Sequence, residues 1–472
     1  MKTKSASLLA VLLASGASAA AADSPVEVTP VPACAPAPCV LLADAGDGGA
    51  TSADSGSARI RIEPPPGNPL LHDSQLNFLL RSFISKQTVN GAFTRHAWTE
   101  NLQVNFESGF TPGVIGVGVD VSPFLAVRVN SSANPGNLAH TGEPDDRAWA
   151  YLGKYAVKAK IGANTVLKYG LLQTSNPVME SKDNRGLPPT YRGLTLVSTV
   201  APGVTVDAGS FDKMVARGRS SLGPLSTNFG GVPIARERYV GASWDYAEGA
   251  NATLYASQAR DVWNQVYLAW TEPLGTAAEI QWSSGLNLYL TQGQGKRLQG
   301  DIDNRAYSIG LTGKRGAFTG MFAFQQVAGD HFHDFPGDTW GNALANAMLV
   351  DYGAPHERSV QVRGVLDAGK LGVPGLRVLF WAISGRGADG TVNAARYRDP
   401  ADPLHELYWK DGRPIQGGHR EFGIYPTYVV QQGTLKGSKV SFYAVAHRAA
   451  RYYFDSGIRE YKFALDMPWK GF

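Results

Sequence analysis

The sequence predicts an all-β chain built as a transmembrane antiparallel barrel. Three observations carry that prediction. Apolar and polar residues alternate over many stretches of about ten residues, the length a tilted membrane strand needs. No apolar run reaches the roughly 18 residues of a membrane-spanning helix. The composition is rich in glycine (54 of 472 residues, against the usual ~7%) and in aromatics, with 10 Trp and 19 Tyr. Such a mixture suits many strands and turns. Alternation alone leaves a soluble β-sandwich open, because its polar face meets water where a barrel's polar face meets a wet lumen.

The N-terminus decides part of this. Lys2 and Lys4 form a positive start, Ser7–Ala14 (SLLAVLLA) an apolar core, and Ala17-Ser18-Ala19 or Ala20-Ala21-Ala22 a small-residue cleavage site. Residues 1–22 therefore read as a secretory signal, too short to anchor the chain. Removing it lowers the formal charge of +4 by two, a balance that points away from nucleic acid as a partner. Residues 23–73 follow, with PVPACAPAPC, DAGDGGATSADSGSA and EPPPGNP. This Ala/Pro/Gly-rich composition buries no core and reads as a flexible arm. Its Cys34 and Cys39, the chain's only two cysteines, are expected to pair in an oxidising compartment.

Patterned sequence then runs from residue 74 to 472 without a second linker, which reads as one barrel domain. Trp98, Leu102, Val104 and Phe106 share one face, and Asn101, Gln103, Asn105 and Glu107 the other. Ile115, Val117 and Val119 alternate with Gly116, Gly118 and Asp120. Tyr151, Tyr155, Val157, Ala159 and Ile161 alternate with Leu152, Lys154, Lys158 and Lys160. The last strand, YKFALDMPW, puts Tyr461, Phe463, Leu465, Met467 and Trp469 on a lipid face and Lys462 and Asp466 on a lumen face. The terminal Phe472 suits recognition by barrel-assembly machinery. It falls on the wrong parity for Trp469, so either Pro468 ends the strand or a bulge resets the phase. Aromatics at strand ends and the secretory signal favour the barrel over the sandwich.

Several stretches resemble the OprD family of substrate-specific outer-membrane porins. They are FESGFTPGVIGVGVD (106–120), YAVKAKIGANTVLKYG (155–170) and PVMESKDNRGLPPTYRGL (177–194), then DIDNRAYSIGL (301–311) and ERSVQVRGVLDAGKLGVPGL (357–376), and last YVVQQGTLKG (428–437) and KFALDMP (462–468). They occur in the family's order. The resemblance implies about 18 antiparallel strands, short periplasmic turns, outer loops that fold inward to narrow the pore, and a ladder of basic side chains along the lumen. It implies residence in the outer membrane of a Gram-negative bacterium, contact with lipid and lipopolysaccharide, a monomer or loose trimer, and no cofactor. It also implies passage of small anionic organic solutes.

The ladder is expected from Arg81, which matches the family's first-strand arginine, with Lys158, Lys160, Lys168 and Arg363. Each shares a lumen face with polar neighbours. A narrow aqueous channel in low-dielectric walls focuses the field of such charges. The late strands depart from the family, reading Trp381 and Ser384, then Ser441 and Tyr443, where arginines are common. Arg377 and Lys439 lie on the same faces as Trp381 and Ser441 and are expected to replace part of that charge. Trp381 and Tyr443 favour aromatic or bulkier solutes. Asp183, Arg185 and Tyr191, in the segment matching the inward third loop, are expected at the constriction. Pro426 predicts a bulge, since proline donates nothing to a ladder.

Other motifs carry little. HFHDF (331–335) reads as a solvated outer loop rather than a metal site. GVIGVG precedes no helix, so it is no phosphate loop. No GxSxG elbow supports a nucleophile, and no catalytic residue is expected. The alternatives to a channel are an outer-membrane barrel enzyme and a secreted β-rich binding protein.

Overall fold

The computed structural model describes residues 67–139 and 147–472. The signal, Cys34, Cys39 and most of the arm lie outside the described residues. Eighteen strands form the wall: β1 Gln75–Val89, β2 Phe93–Glu107, β3 Ile115–Ser131, β4 Ala148–Ile161, β5 Thr165–Leu172, β6 Thr190–Ala201, β7 Val204–Val215, β8 Glu237–Ala247, β9 Ala250–Ala259, β10 Trp263–Ala277, β11 Ile280–Gly293, β12 Asp303–Arg315, β13 Phe318–Ala328, β14 Arg358–Asp367, β15 Leu376–Asp389, β16 Gln416–Val429, β17 Lys439–Ala449 and β18 Ile458–Lys470. Each pairs antiparallel with the next, and β18 pairs antiparallel with β1, so the sheet closes on itself. Two short strands, Gly223–Ser226 and Pro233–Ile234, belong to the loop after β7.

Closure removes every sheet edge, which lipid would otherwise leave without hydrogen-bond partners. The two barrel ends differ. Connections such as 162–164, 202–203 and 248–249 are tight, whereas 173–189, 216–236, 329–357 and 390–415 are long. All the long ones lie at the end away from the chain terminus, which is the outer end of a membrane barrel. On the inner rim the one-turn helix Pro69–His72 precedes β1, capped by Asn68, whose side chain accepts from Leu70 N at 3.0 Å. Gly109 N donates to Leu70 O at 2.9 Å. Residues 69–73, inside the stretch read as arm, are thus folded onto the barrel.

The strands keep the alternation read from the sequence. On β3, Ile115, Val117 and Val119 are exposed to the outside while Gly116, Gly118 and Asp120 are buried within. On β18 the odd residues from Tyr461 to Trp469 face out, and Glu460, Lys462 and Asp466 face in. Phe78 and Trp469 stack outside the seam, with ring centroids 5.3 Å apart.

Three local expectations are corrected. β18 runs in unbroken register through Pro468 to Lys470, so Phe472 lies beyond the strand and needs no bulge. Pro426 interrupts pairing with β17, yet the register from Ile424↔Ala444 to Thr427↔Ser441 does not shift. The missing N–H leaves a gap in the ladder rather than an extra residue. Tyr151 faces inward, opposite in phase to Tyr155. The β3–β4 register shifts at Gly153, a bulge that flips the parity between the two tyrosines. Phe124 occupies the space there, its ring only 2.1 Å from where a Cβ on Gly153 would sit.

Gly153→Val should therefore overpack this point by about 1–3 kcal/mol. The expected readout is a lower thermal transition of the refolded barrel in detergent, followed by its heat-dependent gel mobility. An unchanged transition would mean that the Phe124 ring swings aside freely.

Candidate functional site: a constricted pore

The outer loops fold into the barrel rather than over it. Loop 329–357 crosses the lumen and is pinned to four strands. Ala345 N donates to Ser308 of β12 at 3.0 Å, and Asn346 N to Gln325 of β13 at 2.8 Å. The Asn346 amide donates to Ser359 of β14 at 2.8 Å. Leu349 N and Val350 N donate to the two oxygens of Glu421 on β16 at 3.0 and 3.1 Å. A short bridge, Ser181↔Thr339, joins this loop to loop 173–189, and another, Thr227↔Pro336, joins it to loop 216–236.

Asp338 ties the three loops together. It adopts a positive φ of 58°, a conformation that Asp tolerates better than most residues. Its carboxylate accepts from Arg217 Nε at 2.8 Å, Nη2 at 2.5 Å and the Arg217 backbone N at 2.9 Å. Its backbone oxygen accepts from Tyr191 Oη at 2.7 Å and Lys182 N at 3.2 Å. His331 and His333, expected in a solvated loop, are buried in this inward fold. The His333 ring lies 4.6 Å from that of Tyr289, and burial pushes its imidazole down to about 3.

Between the loops and β1, β15, β16, β17 and β18 a cavity of about 530 Å³ remains. Six cations line it (Arg81, Lys182, Arg185, Arg217, Lys439, Lys462), against four carboxylates (Glu180, Asp183, Glu460, Asp466). They are arranged as alternating rows. Lys439, Asp466 and Arg81 are cross-strand partners in register. Arg81 donates from Nε to Asp466 at 2.6 Å, and from Nη1 to Asp183 at 2.7 Å and to the Arg185 carbonyl at 2.9 Å. Lys439 Nζ stands 3.8 Å from Asp466. The next row holds Glu460 between Lys462 at 3.3 Å and Arg185 at 3.5 Å.

One wall is aromatic. Trp381 and Tyr443 have centroids 5.5 Å apart, and Tyr425 meets Tyr443 edge-on at 5.9 Å. The Lys462 ammonium lies 4.5 Å from the Tyr443 centroid, and Lys182 4.3 Å from that of Trp340. Trp381 lies flat on Gly423, where a Cβ would meet the indole at 2.0 Å. Its Nε1 donates to Glu421 at 2.6 Å.

The other residues expected along the lumen lie closer to the inner end. Lys158 and Lys168 are cross-strand partners that share one carboxylate, Asp120, at 2.7 and 2.8 Å. Lys160 follows Lys158 on the same inner face, one residue before the end of β4. Arg363 and Arg377 line a wider vestibule of about 840 Å³. There the Arg363 guanidinium lies 3.0 Å from the Met321 sulfur. Asp183 and Arg185 stand at the constriction. Tyr191 is fully buried behind it, against Phe211, and holds Asp338 instead of lining the passage. Sequence reasoning did not single out Lys182, Arg217 or Trp340, which sit on loops with no parity to read. The counter-charges Asp120, Glu421 and Glu460 were readable, since each occupies an inward position of an alternating strand.

A closed barrel with an apolar outside and a charged, loop-narrowed lumen is a channel of the outer membrane. The model of the family described as outer membrane porin, OprD family, matches residues 69–471, and the chain belongs to that family. Porin D of Pseudomonas aeruginosa is 29% identical over 417 residues, 84% of this chain and 91% of its own. Porin-like protein GalP of Pseudomonas putida is 28% identical over 66% of this chain and 78% of its own. The crystal structure of Pseudomonas aeruginosa OccD3 superimposes with a TM-score of 0.75 at 29% identity, covering 87% of this chain and 95% of that one.

Asp338→Gly keeps the positive φ accessible and deletes the carboxylate that clamps Arg217. Breaking a largely buried pair of this kind costs about 3–5 kcal/mol, here spent on loop order because the barrel ladder is untouched. Single-channel conductance should rise and flicker while heat-dependent gel mobility stays that of a folded barrel. Traces identical to wild type would show that Asp338 does not hold the constriction.

Proposed function

We propose that this porin gives passive, selective passage to small carboxylate-bearing organic solutes, aromatic ones among them, through its constriction. The single observation that carries the reading is the excess of cations over carboxylates around the 530 Å³ cavity, set beside an aromatic wall. A cation in a narrow, weakly screened passage attracts an anion by more than it would in bulk water. The interleaved carboxylates keep each attraction shallow, so that an anion enters and also leaves. The apolar body of such a solute meets Trp381, Tyr443 and Leu349, and its carboxylate meets Lys182, Lys439 or Lys462. The wider vestibule then offers Arg363 and Arg377 on the way to the periplasm.

Arg81, Lys158, Lys160 and Lys168 act in this scheme as fixed positive charge, largely balanced by Asp466, Asp183 and Asp120. We place no catalytic step in the lumen. The relatives are porins, which favours a channel over a barrel enzyme.

Reversal potentials in salt gradients across planar bilayers test the reading. Asp466→Asn should raise anion preference and Arg81→Gln should lower it. The change expected is roughly fivefold in permeability ratio, as about 1 kcal/mol per charge would produce. Equal ratios for both variants and wild type would sink the assignment, and cation selectivity of the wild type would reverse it.

Burial, with Arg217 adding repulsion, pushes the half-buried Lys182 ammonium down to about 8. The ammonium is present below that pH and lost above it. Anion preference should therefore fall as pH rises through about 8, and Lys182→Arg, which stays charged, should make that fall smaller. A profile unchanged by that substitution would exclude Lys182 as the titrating group.

A further inference from the structure

The outward face of the barrel carries a second charged surface, unrelated to the lumen. At the outer end of six consecutive strands, one outward-facing residue per strand is a cation. They are Arg358 on β14, Arg386 on β15, Arg420 on β16, Arg448 on β17, Arg459 on β18 and Lys86 on β1, and all six are exposed. The register places them as neighbours. Arg358 is the direct cross-strand partner of Arg386, and Arg420 of Arg448. Arg420 stands opposite Ser384, two residues along the same face from Arg386. Arg459 stands opposite Ala446 and Thr88, two residues from Arg448 and Lys86 respectively.

Between this arc and the inner end, the outward positions of the six strands hold no Asp or Glu. They hold Val360 and Val362, Phe380, Phe422, Phe442 and Phe463, the side chains that meet acyl chains. Facing the lumen are the buried Glu357, His419, Glu421, His447 and Glu460, whose polar bonds run inward.

Two like charges directly opposite on a sheet destabilise it, and here two such pairs adjoin with no carboxylate between them. Membrane cost explains only part of the placement. A cation on the lipid face is tolerated near the interface and costly at mid-depth, so the interface is the permitted level. Tolerance alone would scatter cations around the rim. It gives no reason for six neighbouring strands each to carry one, in two directly facing pairs, with no acid among them.

We propose that this arc binds the phosphorylated headgroup of lipid A in the outer leaflet. That headgroup presents phosphates where the apolar band of the barrel ends. Guanidinium forks match phosphate oxygens in charge and in planar geometry, and one phosphate between two facing arginines turns their repulsion into shared attraction. The acyl chains of the same lipid lie along the apolar residues below. The arc works as an annular lipid site and is independent of what the pore conducts.

The test titrates the refolded, detergent-solubilised barrel with bis-phosphorylated lipid A and with dephosphorylated lipid A, read by native mass spectrometry. Arg386→Gln with Arg420→Gln should weaken binding of the phosphorylated form by about tenfold or more. Arg238→Gln with Arg305→Gln removes the same charge from exposed outward positions on β8 and β12, where no cation stands directly opposite, and should leave binding unchanged. Arg448→Gln alone serves if the double variant fails to show the folded, heat-dependent mobility, with a smaller loss in the same direction. Single-channel conductance should be the same in all of them. The proposal is overturned by equal binding of the two lipid A forms, by equal loss in the control pair, or by displacement with inorganic phosphate or phosphatidylglycerol at matched concentration.

Discussion

The bilayer core supplies no water to an unpaired amide, and the rest of this molecule depends on that fact. A sheet in lipid must close, and closure between β18 and β1 is what makes eighteen separate amphipathic strands into one wall. Once the wall is closed, every strand has an inside and an outside, and period-2 alternation becomes a code for environment. A one-residue slip would send Arg81 into lipid and Leu80 into the lumen. The seam register Arg81↔Asp466 is therefore under strong constraint, independent of the ion pair that also joins these residues.

The pore within the wall is made by a second, different interaction. Three outer loops are drawn inward and fastened by a few polar anchors, chiefly the Asp338 carboxylate on Arg217 and the Glu421 carboxylate under Leu349 and Val350. These anchors cost little sequence and decide the pore's width. They also explain why so many lumen charges are paired. Charges brought close in a low-dielectric space without partners would oppose folding, so the lysines and arginines of the lumen arrive with carboxylates beside them. The net field is the small difference that remains, and a small difference suits a channel that must release what it admits.

Most of the wall was legible in the sequence. Alternation in β2, β3 and β18 gave the faces of Trp98, Asp120 and Tyr461 directly, because strand geometry maps parity onto side. The exceptions are places where the backbone breaks the count. Gly153 forms a bulge that turns Tyr151 inward, and a bulge needs a neighbouring strand before it can be recognised. Pro426 looks like a break and makes no shift, since the lost donor is tolerated as a gap. Of the candidate site, the strand residues Arg81, Arg363, Arg377 and Lys439 could be placed on the lumen side by parity. The loop residues could not, because loops 173–189 and 329–357 carry no period. His331 and His333 illustrate this, reading as solvent-exposed and ending up buried.

The chain by itself therefore determines which side of the wall most strand residues take, through a local periodicity that needs no long-range contact, and so its outer-membrane character. Only the tertiary structure decides which charges meet. The partners of Arg81 stand at positions 183 and 466, and those of Asp338 at 182, 191 and 217. Such pairings arise from barrel closure and from loops folding through its interior, and local periodicity carries no information about either.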